Sequence, residues 1–147
     1  MGVGSAEQFE RGKRAMADDR LLEALAAFES AYRAEPSNAE YQSFYGLLHA
    51  LERGRTREGA VLARDAAERA PELASSHLNL AKVLLACKDK AGAVAALKHG
   101  LAHHPGNEAL LAEIKKLGVR KPPVFKKLPR DHPLNKYAGK IAHWFRR

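Results

Sequence analysis

One cysteine, Cys87, is present, which excludes an intrachain disulfide and fits a reducing, cytoplasmic setting. Its thiol reads as a small packing group near a helix end. No run approaches the roughly 18 apolar residues of a membrane span. The opening Met1-Gly2-Val3-Gly4-Ser5 has neither a basic start nor an apolar stretch, which argues against a secretory signal. Ala6 breaks the myristoylation pattern. Residues 1–4 read as a leader or an expression remnant. Phosphate loops, nucleophile elbows, paired metal motifs and glycine-rich strand–helix turns are missing too. The chain is therefore expected to be no enzyme and to need no cofactor and no metal. His99 and His103 stand four apart, a spacing that can put two imidazoles on one ion, with His104 following. They read instead as an exposed helix end, where a charged imidazole complements the dipole.

Acidic residues are scarce only in one place. The formal net charge is +8, with 25 Lys and Arg against 17 Asp and Glu. Residues 120–147 hold nine of the basic residues and one acid, Asp131, so the first 119 residues are electrically balanced. The high isoelectric point describes the tail alone.

Three prolines, Pro36, Pro71 and Pro105, fall 35 and 34 residues apart, and each closes a copy of one segment. Gly12, Ala24, Phe28 and Ala31 precede the first, and Ala81, Ala93, Leu97 and Gly100 precede the third at matching spacings. The middle copy carries Gly46, Gly59, Ala63 and Ala66, and Gly46 lies 25 residues before its proline where Gly12 and Ala81 lie 24 before theirs. The extra residue is expected in the Arg53-Gly54-Arg55-Thr56-Arg57 turn, where insertion costs least. Small residues let the two helices of a copy cross closely, larger ones such as Phe28 and Leu97 fill the gap, and proline ends the second helix. Leu21, Leu25, Phe28 and Tyr32 show the three-and-four spacing of a helix.

These segments resemble the tetratricopeptide repeat (TPR) family, over about 100 residues and three times in succession. The resemblance implies an all-α, right-handed solenoid of three helix–turn–helix repeats at 5–38, 39–73 and 74–107. Arg11, where an apolar residue is usual, and Ala63, where an aromatic is usual, are its departures and imply locally adapted packing. A solenoid needs its open end covered. Asn107 to Leu117 supplies a capping helix, with Asn107 as N-cap, Ala109, Leu110, Ile114 and Leu117 as the buried stripe, and Gly118 as the stop.

Beyond it, 119–133 carries four prolines and no helical period, so an extended, proline-rich basic linker is expected, without a PxxP ligand pattern. Residues 134–147 read as a basic amphipathic helix. Tyr137, Ile141, Trp144 and Phe145 share an apolar arc with Leu134, while Lys136, Lys140, Arg146 and Arg147 lie opposite. A segment of the form P-L-N-K-Y-x-G-K behind a proline-rich basic strip is similar to C-terminal extensions on some bacterial repeat proteins.

The family resemblance implies that the first helix of each repeat lines a concave groove. By matched positions this groove includes Phe9, Lys13 and Met16, then Ser43, Leu47 and Ala50, then Leu78, Lys82 and Leu85, with Phe44 and Asn79 at its border. The mixture suits a peptide or helix with apolar anchors and a carboxylate. The positions of the chaperone-tail clamp known in one subgroup read Phe9, Lys13, Phe44, Ser75 and Asn79. Only Lys13 is basic, which argues against that ligand. The expected function is a non-enzymatic scaffold or adaptor for a protein or peptide partner, the basic C-terminal helix docking on the chain's own body, on a partner or on a second copy. The alternative is a peripheral adaptor that the same helix anchors to an anionic membrane surface. No specific nucleic-acid readout motif is present.

Overall fold

In a computed structural model, residues 2–118 are described. The linker at 119–133 and the amphipathic helix at 134–147, with Tyr137, Lys140, Ile141, Trp144, Phe145 and Arg146, lie outside the described residues. Seven helices follow one another: α1 (Ser5–Ala17), α2 (Leu21–Ala34), α3 (Ala39–Arg53), α4 (Thr56–Arg69), α5 (Ala74–Ala86), α6 (Lys90–His103) and α7 (Glu108–Lys116). Each of the first six pairs with its successor, α5 also packs on α3, and α7 closes against α6 and α5. The body is a solenoid of three helical hairpins with a closing helix.

The first and third hairpins share one turn chemistry, and the middle one keeps its left-handed residue. Asp19, Gly54 and Lys88 take positive φ at the ends of α1, α3 and α5. In the first hairpin the amides of Asp19 and Arg20 donate back to the carbonyls of Met16 and Ala15, and in the third those of Lys88 and Asp89 donate to Leu85 and Leu84. This is the left-handed cap that satisfies the last carbonyls of a helix. Each of these three residues stands 17 before its proline. The extra residue of the middle copy therefore precedes Gly54 and lies inside α3, not in the turn. α3 has 15 residues against 13 in α1 and in α5. Added helix keeps its backbone hydrogen-bonded, and the lengthened end carries Arg53 to Glu29 of α2, at 2.7 Å.

The two departures from the repeat pattern have local causes. The position of Arg11 holds Tyr45 and Leu80 in the later hairpins, and Tyr45 stacks on Tyr32 of the preceding hairpin at 5.2 Å between centroids. The first hairpin has no described predecessor there, and Arg11 is exposed, reaching Glu23 at 3.4 Å. Ala63 is compensated by closeness. A Cβ on Gly59 would come within 2.6 Å of both the Gly46 carbonyl oxygen and the Ala50 Cβ. Where Phe28 fills the first hairpin, α3 and α4 close the same space with backbone.

In the closing helix, the Asn107 side chain accepts from the Leu110 amide at 3.0 Å, and Gly118 takes positive φ beyond it. The expected stripe narrows. Leu110 is fully buried and Ile114 and Leu117 are half-buried against the core, whereas Ala109 is exposed. Within these nine helical residues Leu110 alone is fully buried.

Behind the first helices, Gln42 joins α3 to α4. Its amide donates to the Leu62 carbonyl at 2.9 Å and to Asp65 at 2.7 Å, while Arg69 holds Asp65 at 2.9 Å and the Ser37 carbonyl at 2.9 Å. The Gln42 hydrogen bond, and then Arg69, hold the Asp65 carboxyl below its ordinary value of 3.8. A depressed folded-state value adds stability above the ordinary value and loses it as pH falls through the folded one. Urea midpoints should thus fall below about pH 4, and Asp65→Asn should lower the neutral-pH midpoint while flattening that acid limb. An acid limb of unchanged steepness would refute the assignment.

Candidate functional site: the face of the first helices

α1, α3 and α5 are the first helices of the three hairpins, and the matched groove positions fall on them. Burial divides these residues into two sets. Phe9, Ser43, Phe44, Leu47 and Asn79 are buried. Phe9 lies between the rings of Phe28, Tyr41 and Phe44, at 5.6, 4.8 and 5.2 Å between centroids. Asn79 donates its side-chain amide to the Ser43 hydroxyl at 3.1 Å, which ties α5 to α3. Ala50 is buried beneath Gly59. These residues join neighbouring first helices to each other and to their second helices, and their side chains have little surface left for a ligand.

Lys13, Met16, Leu78, Lys82 and Leu85 are half-buried. They form the part of the predicted set that meets solvent. Lys13 is partly committed: its ammonium sits 2.8 Å from Glu10 and 5.0 Å above the Phe9 ring centroid. Lys82 forms no ion pair among the described residues. The face thus combines apolar side chains with a cation that a ligand carboxylate can meet at small desolvation cost.

Leu51, which the matched positions do not include, is 47% exposed on α3, one residue beyond Ala50.

The histidines are placed apart from this face. His77 is buried, with its Nε2 on the Pro71 carbonyl at 2.8 Å, and its ring stacks on His103 at 6.1 Å. His104 meets the Glu72 carbonyl, and His99 is exposed. No group of three His, Cys, Asp or Glu side chains converges among the described residues. Nor is any helix among them long and apolar enough to cross a membrane.

No family model matches the chain, and no curated protein sequence matches it. Solved structures do. The Sgt2 TPR domain from Aspergillus fumigatus is similar at 20% identity and a TM-score of 0.66, over 78% of this chain and 76% of that one. The first TPR of Spaghetti (RPAP3), bound to the HSP90 peptide SRMEEVD, is similar at 13% identity and a TM-score of 0.63, over 78% and 90%. A Thermobaculum terrenum O-GlcNAc transferase mutant is similar at 26% identity and a TM-score of 0.66, over 80% of this chain but 23% of that one. The class is therefore that of TPR solenoids: the chain has the TPR fold, three helical hairpins and a closing helix.

Proposed function

We propose that this chain is a non-enzymatic protein-interaction module that holds a peptide or helix of a partner protein on the face of α1, α3 and α5. The observation that carries this reading is the half-buried pairs Lys13 with Met16 and Lys82 with Leu85 at equivalent places on α1 and α5, apolar and cationic together. Similar TPR structures with bound HSP90 or Hsp70 ligands support a peptide as the occupant. The matched clamp positions, with Phe9 and Phe44 buried in the wall, disfavour a chaperone C-terminus as that peptide. The basic C-terminal segment, with Trp144 and Phe145, supplies a second contact, on the body or on a partner. A cytoplasmic setting suits the single thiol.

The test is capture of partners by the full chain and by Lys13→Glu/Lys82→Glu, with partners identified in both. Both lysines are at least partly solvated, so the melting temperature should hold while partner affinity falls about tenfold or more. An unchanged partner set at unchanged affinity would remove this face as the site.

A further inference from the structure

One flank of α6 carries lysines at places that the first hairpin gives to its neighbour. In that hairpin Leu25, Glu29 and Tyr32 stand 5, 9 and 12 residues past the α2 cap Arg20. α3 packs on this flank: Arg53 meets Glu29 at 2.7 Å, Tyr45 stacks on Tyr32 at 5.2 Å, and Leu25 is buried. On α6, Val94, Lys98 and Leu101 stand 5, 9 and 12 past the cap Asp89, and Lys90, Val94 and Lys98 follow at steps of four. α7 packs on α6. It ends nine residues past its cap Asn107, short of the place that Arg53 holds 15 past Asn38. Val94 and Leu101 are half-buried there, and Lys90 and Lys98 are exposed.

Charge divides the chain at the same hairpin. Residues 1–73 hold 10 Lys and Arg against 13 Asp and Glu, whereas residues 74–147 hold 15 against 4. Seven of those first ten cations form ion pairs among the described residues, so little of their charge is on offer. From 74 to 118 every cation is a lysine, and Lys116 alone is paired among the described residues. The three acids of that stretch have local partners. Asp89 accepts from the Gly92 amide at 2.8 Å, Glu113 meets Lys116 at 3.2 Å, and Glu108 stands in the first turn of α7, where a carboxylate complements the dipole. Lys88, Lys90, Lys98 and Lys115 are exposed. Residues 120–147 continue the same sign. By sequence pattern their Tyr137, Ile141, Trp144 and Phe145 share an apolar arc opposite Lys and Arg. Single-stranded nucleic acid asks for aromatics set among the cations. Apolar and basic residues parted on opposite sides suit the boundary of an anionic bilayer.

We propose that the α6 end of the solenoid docks on an anionic membrane surface. Lys88, Lys90 and Lys98 meet lipid phosphates, and the C-terminal segment lends the same bilayer its own cations and apolar arc. Exposed lysines lose little hydration in a headgroup layer, and their attraction reaches about 10 Å at 0.1 M salt. The inference goes beyond the peptide-binding reading, since it does not use the face of α1, α3 and α5 and leaves that face to a partner protein.

The experiment is co-sedimentation of the full chain with vesicles of equal parts phosphatidylglycerol and phosphatidylcholine, and with vesicles of phosphatidylcholine alone. The anionic vesicles should bind at least about tenfold tighter, and the difference should shrink steeply with salt. Lys90→Glu/Lys98→Glu, at two exposed sites, should weaken anionic binding about tenfold or more with an unchanged melt, at roughly fivefold per cation. Trp144→Ser/Phe145→Ser should weaken it as well, by a factor that salt changes little. Equal binding of the two vesicles would overturn the proposal. Loss with the aromatic pair and none with the lysine pair would confine the contact to the C-terminal segment and overturn the assignment of α6. A fluorescein-labelled single-stranded DNA that binds more tightly than the anionic vesicles would give the surface to nucleic acid instead. Partner capture with Lys90→Glu/Lys98→Glu separates this inference from the peptide-binding reading. Partners kept while vesicle binding is lost supports the membrane seat, and partners lost while vesicle binding is kept gives the α6 flank to a protein and sinks it.

Discussion

Phe28→Ala is expected to destabilise the solenoid by about 3–5 kcal/mol, the cost of removing a buried aromatic and leaving a cavity. Phe28 is fully buried, and its ring centroid lies 5.6 Å from that of Phe9 and 5.2 Å from that of Phe44. It is thus the point where α2 reaches both first helices α1 and α3. Collapse cannot refill the space easily, because Phe9 is already held by Tyr41 at 4.8 Å. Gly12 offers an internal control. A Cβ there would press on the Phe28 ring, so Gly12→Ala should destabilise the native chain. In the Phe28→Ala background the same methyl should recover part of the loss, and that non-additivity marks direct contact. Urea unfolding followed by circular dichroism measures both. A loss below about 1 kcal/mol for Phe28→Ala would mean that the first hairpin does not pack in this way.

The second large effect is expected at Gly59. Gly59→Val should cost about 3 kcal/mol, at the upper end of the range for overpacking. The added atoms meet the Gly46 carbonyl and the Ala50 Cβ, and neither is the movable end of a long side chain. The helix-propensity gain over glycine, a few tenths of a kcal/mol for valine, is too small to offset this. Gly106→Ala is the matched control, since a Cβ there meets nothing within 4 Å, and its effect should stay within about 0.5 kcal/mol. Similar melts for Gly59→Val and Gly106→Ala would show that α3 and α4 are not in backbone contact.

The repeat period, the helix order and the cap at Asn107 could be read from residues because each is written in local chemistry: proline, small residues at crossings, and an amide side chain ahead of an apolar run. The position of the extra residue could not. Gly46 and Pro71 anchor the middle copy at its two ends and leave the interval between them undetermined. The three turn residues resolve it, yet only Gly54 advertises positive φ, and Asp19 and Lys88 do not. The groove assignment met a different limit. Matched positions identify a helix face, but adjacent helices decide which part of it becomes wall. Ser43 and Leu47 are covered from both sides on the central helix α3, whereas Met16 and Leu85 stand on the flanking helices and keep some exposure.

Arg11 has a consequence for assembly. Helical hairpins of this kind extend by stacking, and the α1–α2 hairpin offers the next one a surface in which Arg11 occupies the place that Tyr45 and Leu80 hold further along. A second copy stacked end to end there would have to strip water from a guanidinium whose only carboxylate among the described residues is Glu23, at 3.4 Å. Breaking up its hydration without a better partner costs several kcal/mol. A single charge thus makes that surface a poor seat for a stacked copy, while α7 keeps Leu111 44% exposed. The α1 and α7 surfaces of the described residues are chemically unlike, and Arg11 disfavours end-to-end repetition on the first of them. Arg11→Leu would remove that cost.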